Sequence, residues 1–143
     1  MLPDQNEFQE VLIIDSPGTV SLWFGKCDSE DEMRHYLAIK FDEQGDRMKS
    51  KFMIDFHLDF IDYNEDLVEF TYLNLPTTSI AELLKNASYS ESMTNELVDF
   101  YGDELSEECN VVIRLYDVEY EGAVEEAILH GEKIEFMGSV IYE

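Results

Sequence analysis

Six residues, Val20-Ser21-Leu22-Trp23-Phe24-Gly25, and the stretch that follows them, Lys26-Cys27-Asp28-Ser29-Glu30-Asp31-Glu32, constrain the fold of this chain more than any other segment. Val20, Leu22 and Phe24 alternate with Ser21, Trp23 and Gly25, which is the period of two that a β-strand requires. One face of this strand is wholly apolar, and the other carries the chain's single tryptophan. Trp23 therefore either packs beneath a helix or stands exposed as an anchor. Gly25 permits a tight turn or a close backbone approach. Ser29 with Glu32 three residues on has the spacing of a capping box, so an acidic helix starts there.

At 143 residues, with 45% apolar and 13% aromatic side chains, the chain can bury a sizeable core and is read as one domain spanning residues 1–143. Its formal charge of −24 is far beyond the magnitude of about 2–8 that keeps a small domain soluble. Such self-repulsion opposes the compact state, so another use for the charge is expected. The acids are unevenly spread: six Lys/Arg face eleven Asp/Glu in residues 1–51, and three face 22 in residues 52–143. That field repels phosphate, which argues against nucleic acid and anionic membrane as partners. It favours a basic protein surface, or else metal ions. Cys27 and Cys109 lie far apart without a CxxC, which describes neither a disulfide framework nor a zinc site. Met1-Leu2-Pro3-Asp4 lacks a positive leader and no apolar run approaches the roughly 18 residues of a membrane span, so cytoplasmic residence is expected.

Residues 1–10 are polar and expected to fray. Val11–Ile14 is a short apolar run stopped by the turn signal Ser16-Pro17-Gly18, consistent with a strand hairpinned to Val20–Gly25. The helix after Ser29 carries Met33, Tyr36, Leu37 and Phe41 on one stripe and should end near Phe41, before a polar turn at Asp42–Asp46. Ser50–Phe60 reads as a short helix becoming extended near His57, and Asp62–Asp66 as a loop. Leu67–Leu73 is a strand with Val68, Phe70 and Tyr72 on one face. Ser79/Glu82 and Ser88/Glu91 repeat the cap spacing before two helices, the second with Met93, Leu97, Val98 and Tyr101 inward and Gly102 at its end. Val111–Tyr116 is a β-branched strand. Ala127–Leu129, His130-Gly131 and Ile134–Ile141 read as a closing hairpin, with Ile134, Phe136, Gly138, Val140 and Tyr142 on one face, the alternative for Glu125–Leu129 being one helical turn. The whole is α+β, a mostly antiparallel sheet of about five strands with three to four helices.

No catalytic motif is present: there is no GxSxG, HExxH or P-loop. Asp62-x-Asn64-x-Asp66 opens like a calcium loop, but Leu67 and Leu73 stand where that loop needs Gly and Glu. Asp55, His57 and Asp59 would share a face only if their segment is extended; two carboxylates and an imidazole can hold a divalent cation, and a solvated acidic face is the simpler account. Cys27 lies near a helix N-terminus, where a thiol pKa can fall, but Asp28, Glu30, Asp31 and Glu32 push it back up. No catalytic residue, metal ligand or cofactor is assigned.

Ser21-Leu22-Trp23-Phe24-Gly25, the acidic helix after Ser29, Ser50-Lys51-Phe52-Met53-Ile54-Asp55-Phe56 and Tyr89-Ser90-Glu91-Ser92 occur in an order that resembles the immunity protein 22 family of bacterial polymorphic toxin systems. The resemblance covers roughly residues 20 to 120 and leaves residues 1–18 and the final hairpin unmapped. It implies an α+β cytoplasmic protein that binds and neutralises a cognate toxin, often a nuclease, with Trp23 and Gly25 as family motif residues of structural role. The charge agrees on separate grounds. A dense acidic surface can occupy a nuclease's basic one and steer encounter at up to about 10⁸–10⁹ M⁻¹s⁻¹. Candidate contacts are Asp55, Asp59, Asp62, Glu65, Asp66 and Glu69, with Tyr63 as an anchor. The competing readings are an acidic regulatory or nucleic-acid-mimicking protein with another basic partner, and a metal-dependent enzyme using Asp55, His57 and Asp59.

Overall fold

A computed structural model describes residues 13–59, 65–121 and 124–142. In chain order the elements are β1 (Ile13–Gly25), α1 (Glu30–Leu37), β2 (Lys40–Phe41), β3 (Arg47–Met48), α2 (Lys51–Asp55), β4 (Val68–Ser79), α3 (Ile80–Leu84), α4 (Ser90–Tyr101), β5 (Glu104–Tyr120), β6 (Glu126–Leu129) and β7 (Glu132–Ile141), with a 3₁₀ turn at Glu65–Leu67. Five strands form one sheet in the order β4-β5-β1-β7-β6, every pair antiparallel; β2 and β3 make a separate ribbon. The fold is α+β, as the order of strand and helix signals predicts.

The period of two in Val20–Gly25 decides the layering. Trp23 pairs with Ile113 and Phe136, and this face of the sheet packs against Met33 and Tyr36 of α1 and Phe52 and Met53 of α2. Val20, Leu22 and Phe24 face the other way, onto Ile80, Leu83 and Leu84 of α3 and Met93 and Leu97 of α4. Helices thus cover both faces of the sheet. Trp23 is fully buried, its ring centroid 5.0 Å from Phe52, 5.7 Å from Phe56, 5.3 Å from Tyr120 and 5.1 Å from Phe136. The edge-on and tilted geometries place ring edges on ring faces, worth about 0.5–1.5 kcal/mol per pair beyond burial. Of the two roles open to Trp23, packing is the one it fills. A Cβ on Gly25 would sit 2.4 Å from the Lys133 carbonyl oxygen, so this glycine serves close approach of β1 to β7.

Four expectations are corrected. Ser16-Pro17-Gly18 does not turn the chain: β1 runs on through it as one strand, with a register shift between Asp15 and Val20. There the Gly18 N–H donates to Asp117 Oδ1 at 3.0 Å, and the buried Ser21 hydroxyl accepts from Tyr120 N–H at 3.0 Å and donates to Val118 O at 2.9 Å. Polar side chains thus supply bonds where the ladder is irregular. Second, α1 ends at Leu37 because Ala38 is extended (φ −73°, ψ 133°), and Phe41 lies exposed on the ribbon. Third, the helix after Ser88 is capped at Tyr89, in the left-handed region at φ 60° and without a side-chain cap bond. Fourth, β7 does not keep one face. Trp23 pairs with Phe136 but Leu22 with Gly138, so Met137 is bulged out; Ile134 and Phe136 then pack with Trp23, and Val140 and Tyr142 with Leu22.

Two further readings are also corrected: Tyr101, read as inward, is exposed, and the strands read at Leu67–Leu73 and Val111–Tyr116 run on as β4 through Pro76 to Ser79 and as β5 over Glu104–Tyr120. Ser29, Ser50 and Ser79 each accept from the N–H three residues on, at 3.0, 3.1 and 3.1 Å. The Ser50 segment is helical to Asp55 and then breaks at His57 (φ 59°).

Candidate partner-binding surface

The sequence-selected acids lie on the chain that joins α2 to the edge strand β4. Asp55, in the last turn of α2, is half-buried: it accepts from the Tyr36 hydroxyl at 2.9 Å and is bridged by Lys51 Nζ. Asp59 and Asp66 are exposed. Glu65 opens the 3₁₀ turn, and Asp62 and Tyr63 lie outside the described residues. Glu69, on β4, belongs to the opposite layer from Asp55, because its partner across the ladder is Arg114, which pairs in turn with Leu22. The structure therefore divides this group between the two faces of the sheet.

Glu69 is also part of a polar network. Arg114 is only 3% exposed; its Nη2 donates to Glu69 Oε1 at 3.3 Å and its Nη1 to Thr71 Oγ1 at 2.9 Å. Arg114 Nε has no acceptor among the described residues. Tyr116 donates its hydroxyl to Glu69 at 3.3 Å and to the Ser88 carbonyl at 3.2 Å, and the Ser88 hydroxyl donates to Glu69 at 3.2 Å. Burial above all pushes the Tyr116 phenol up to about 12. Glu69 thereby neutralises a buried cation and ties the start of α4 to β4. That structural duty was invisible in the sequence, since Arg114 lies 45 residues further on.

Asp55, His57 and Asp59 do not share a face, since α2 and the left-handed His57 interrupt the extended run this would need. Among the described residues no cluster of three or more His, Cys, Asp or Glu is arranged to hold a metal ion. Cys27, 5% exposed, donates its Sγ–H to Ser29 O at 3.4 Å. Burial first, and Glu32 next, push its thiol up to about 11, so the nearby helix start does not activate it. Glu32 also accepts from the Asp28 N–H at 2.6 Å and contacts His130 Nδ1 in the β6–β7 turn. Among the described residues no helix is long and apolar enough to cross a membrane.

A second surface, between α4 and β7, carries apolar groups that the stripe analysis passed over. Two depressions of about 420 and 350 Å³ follow α4 and share Glu96 as a wall. Phe100 is 77% exposed on the first, its ring 4.7 Å from that of Tyr101, whose hydroxyl donates to Met137 O. Ile141, 59% exposed, borders the second. The sequence would have hidden Phe100: three residues after Leu97 and seven after Met93, it falls on the inward stripe by period, yet at the end of α4 it stands exposed.

Trp23 and Gly25 thus hold the core and the β1–β7 approach, and the acids lie outward over a helix-covered sheet. A family model described as Immunity protein 22 matches residues 20–143. The chain belongs to the Immunity protein 22 family. The match continues through the β6–β7 hairpin, so in this Immunity protein 22 member the closing strands are part of the family's domain. No curated protein and no solved structure matches the chain.

Proposed function

We propose that this Immunity protein 22 member binds a cognate bacterial toxin, a nuclease, in the cytoplasm of the producing cell and neutralises it by covering its basic surface. The observation that carries this beyond the family match is the charge of −24, with 22 acids against three cations after residue 51. A nuclease must present cations to phosphate, and an acidic surface competes for those cations. Occlusion requires fit and field, with no chemistry by the bound protein. Asp59, Asp62, Glu65 and Asp66, with Tyr63, in the sequence between α2 and β4, are the proposed acidic contact. Asp55 and Glu69 border it, each committed to an internal partner.

Co-expression with the toxin encoded beside this protein's gene tests the reading. Survival and a stable co-purified complex are expected; cell death with no complex would overturn it. Within a complex, the triple variant Asp59→Lys, Asp62→Lys, Asp66→Lys should associate more slowly and with a flatter salt dependence. Unchanged association kinetics would place the contact elsewhere.

A further inference from the structure

The α4–β7 groove combines an exposed aromatic ring, two carboxylates, a helix C-terminus and a lining without cations. Among the described residues Phe100 is the most exposed aromatic, and it stands four residues after Glu96 and one after Asp99. Residues three and four apart share a helix face, so Glu96 carries its carboxylate on the wall that presents the Phe100 ring, with Asp99 at its margin. The C-terminus of α4, where the helix dipole is negative, has no basic residue in its last turn, and Asp103 follows. No Lys, Arg or His lines either depression among the described residues. At the other end Tyr89 holds φ 60°, uncommon for a bulky residue, with its ring 4.6 Å from Tyr142 and 55% exposed.

We propose that this groove anchors an arginine side chain of the basic partner, its guanidinium lying on the Phe100 ring and paired with Glu96 and Asp99. An aromatic face, two carboxylates and a helix C-terminus all attract the same charge, and the apolar floor accepts the methylene stem. Arginine suits the site better than lysine because its planar, weakly hydrated head stacks and pairs at once. The other occupants are disfavoured by charge. Residues 1–12 contain Asp4, Glu7 and Glu10 and no Lys or Arg, and a second copy would bring a further −24. Tyr89 links the second depression to the Glu69 network: its ring packs on Tyr142, which lines that depression, and on Tyr116, which bonds Glu69. The partner's identity as the toxin rests on the function proposed above; the chemistry of the groove does not.

The test has two arms. In the first, the backbone amides of the full chain are followed by NMR during titration with a tetra-arginine peptide. Amides of residues 96–101 and 137–141 should move together and saturate. Phe100→Ala should weaken that site about two- to fivefold, and a tetra-lysine peptide should bind it less well than tetra-arginine. The proposal is overturned if the largest shifts fall on other acidic segments or if Phe100→Ala leaves the midpoint unchanged. It is also overturned if Phe100→Ala breaks up a self-associated form of the chain. Thermal melting of the variant, whose altered side chain is exposed, verifies that it is folded. In the second arm, toxin protection by the wild type is compared with that by Phe100→Ala/Asp99→Lys. Wild-type failure with the peptide result intact would sink the toxin reading and leave the arginine site. Equal protection and equal affinity of wild type and variant would sink the site and leave the toxin reading.

Discussion

Gly25 and Glu69 show how single residues hold this sheet together. Any Cβ at position 25 would collide with the Lys133 carbonyl at 2.4 Å and with Ile134 Cδ1 at 2.6 Å. Backbone cannot yield as a side chain end can, so Gly25→Ala should cost about 1–3 kcal/mol of unfolding free energy. Denaturant unfolding followed by the fluorescence of buried Trp23 measures this, and a variant as stable as wild type would refute the close approach. At Glu69 the duty is electrostatic. Its loss leaves Arg114, 3% exposed, without its carboxylate. Breaking a fully buried pair costs about 3–5 kcal/mol, and the 43% exposure of Glu69 discounts that to about 1–3 kcal/mol for Glu69→Ala. Glu43→Ala, at an exposed site in the turn between β2 and β3, should change stability by less than about 0.5 kcal/mol. Equal losses for the two would mean that Glu69 is no more structural than a surface acid. This contrast also explains the limits of the sequence reading of the site. Acidity and position were legible for Asp55 and Glu69, but Tyr36, Arg114 and Tyr116, which engage them, come from distant segments and leave no local mark.

At the scale of elements, what was legible is what is local. The caps at Ser29 and Ser79 follow from a hydroxyl and the N–H three residues on, and both form; Ser50, which was not read as a cap, makes the same bond. Ser88 has the same spacing to Glu91, yet its hydroxyl is engaged by Glu69 of β4 and the helix starts one residue later. Ser29→Ala should therefore cost about 1 kcal/mol through its lost cap bond. In Ser88→Ala the N–H groups of α4 lose no cap, so helix content in far-UV circular dichroism should be unchanged. A fall in helicity in Ser88→Ala would restore it as a cap. Phe41 was misplaced for a similar reason. No Gly or Pro marks the end of α1, and the stripe alone carries the eye one turn past the extended Ala38. The turn signal at Ser16-Pro17-Gly18 is real, but the sheet absorbs it as an irregularity opposite Asp117. The Met137 bulge changes which residues of β7 face which layer, and nothing in an alternating pattern announces an inserted residue.

For the molecule as a whole, charge and burial act together on stability. Burial pushes the Cys27 and Cys109 thiols up to about 11 and the Tyr116 phenol to about 12; Tyr36 is raised too, first by burial and then by Asp55. The folded chain therefore holds these protons more tightly than the unfolded one. The resulting stability is fully present below the ordinary values of 9.0 for the thiols and 10.0 for the phenols, and is lost as pH rises through the folded ones. Melting temperature should fall between about pH 9 and 12. Raised salt should lift it at neutral pH by screening the self-repulsion of −24 charges. A melting temperature flat over that alkaline range would mean that these side chains ionise as freely inside as outside.

The position of β1 also sets when this molecule can exist. The first strand of the sheet lies at its middle, between β5 and β7, and its partners in β7 are residues 134–141. At about 5–20 residues per second, a ribosome needs on the order of ten seconds to travel from Gly25 to Ile141. Until then Trp23 has no Phe136 to pack against and one edge of β1 stands open. The contact order of such a sheet is high, which makes closure slow by the standards of helical proteins. If the proposed function holds, a copy still being made protects nothing, and a finished reserve must stand ahead of the toxin.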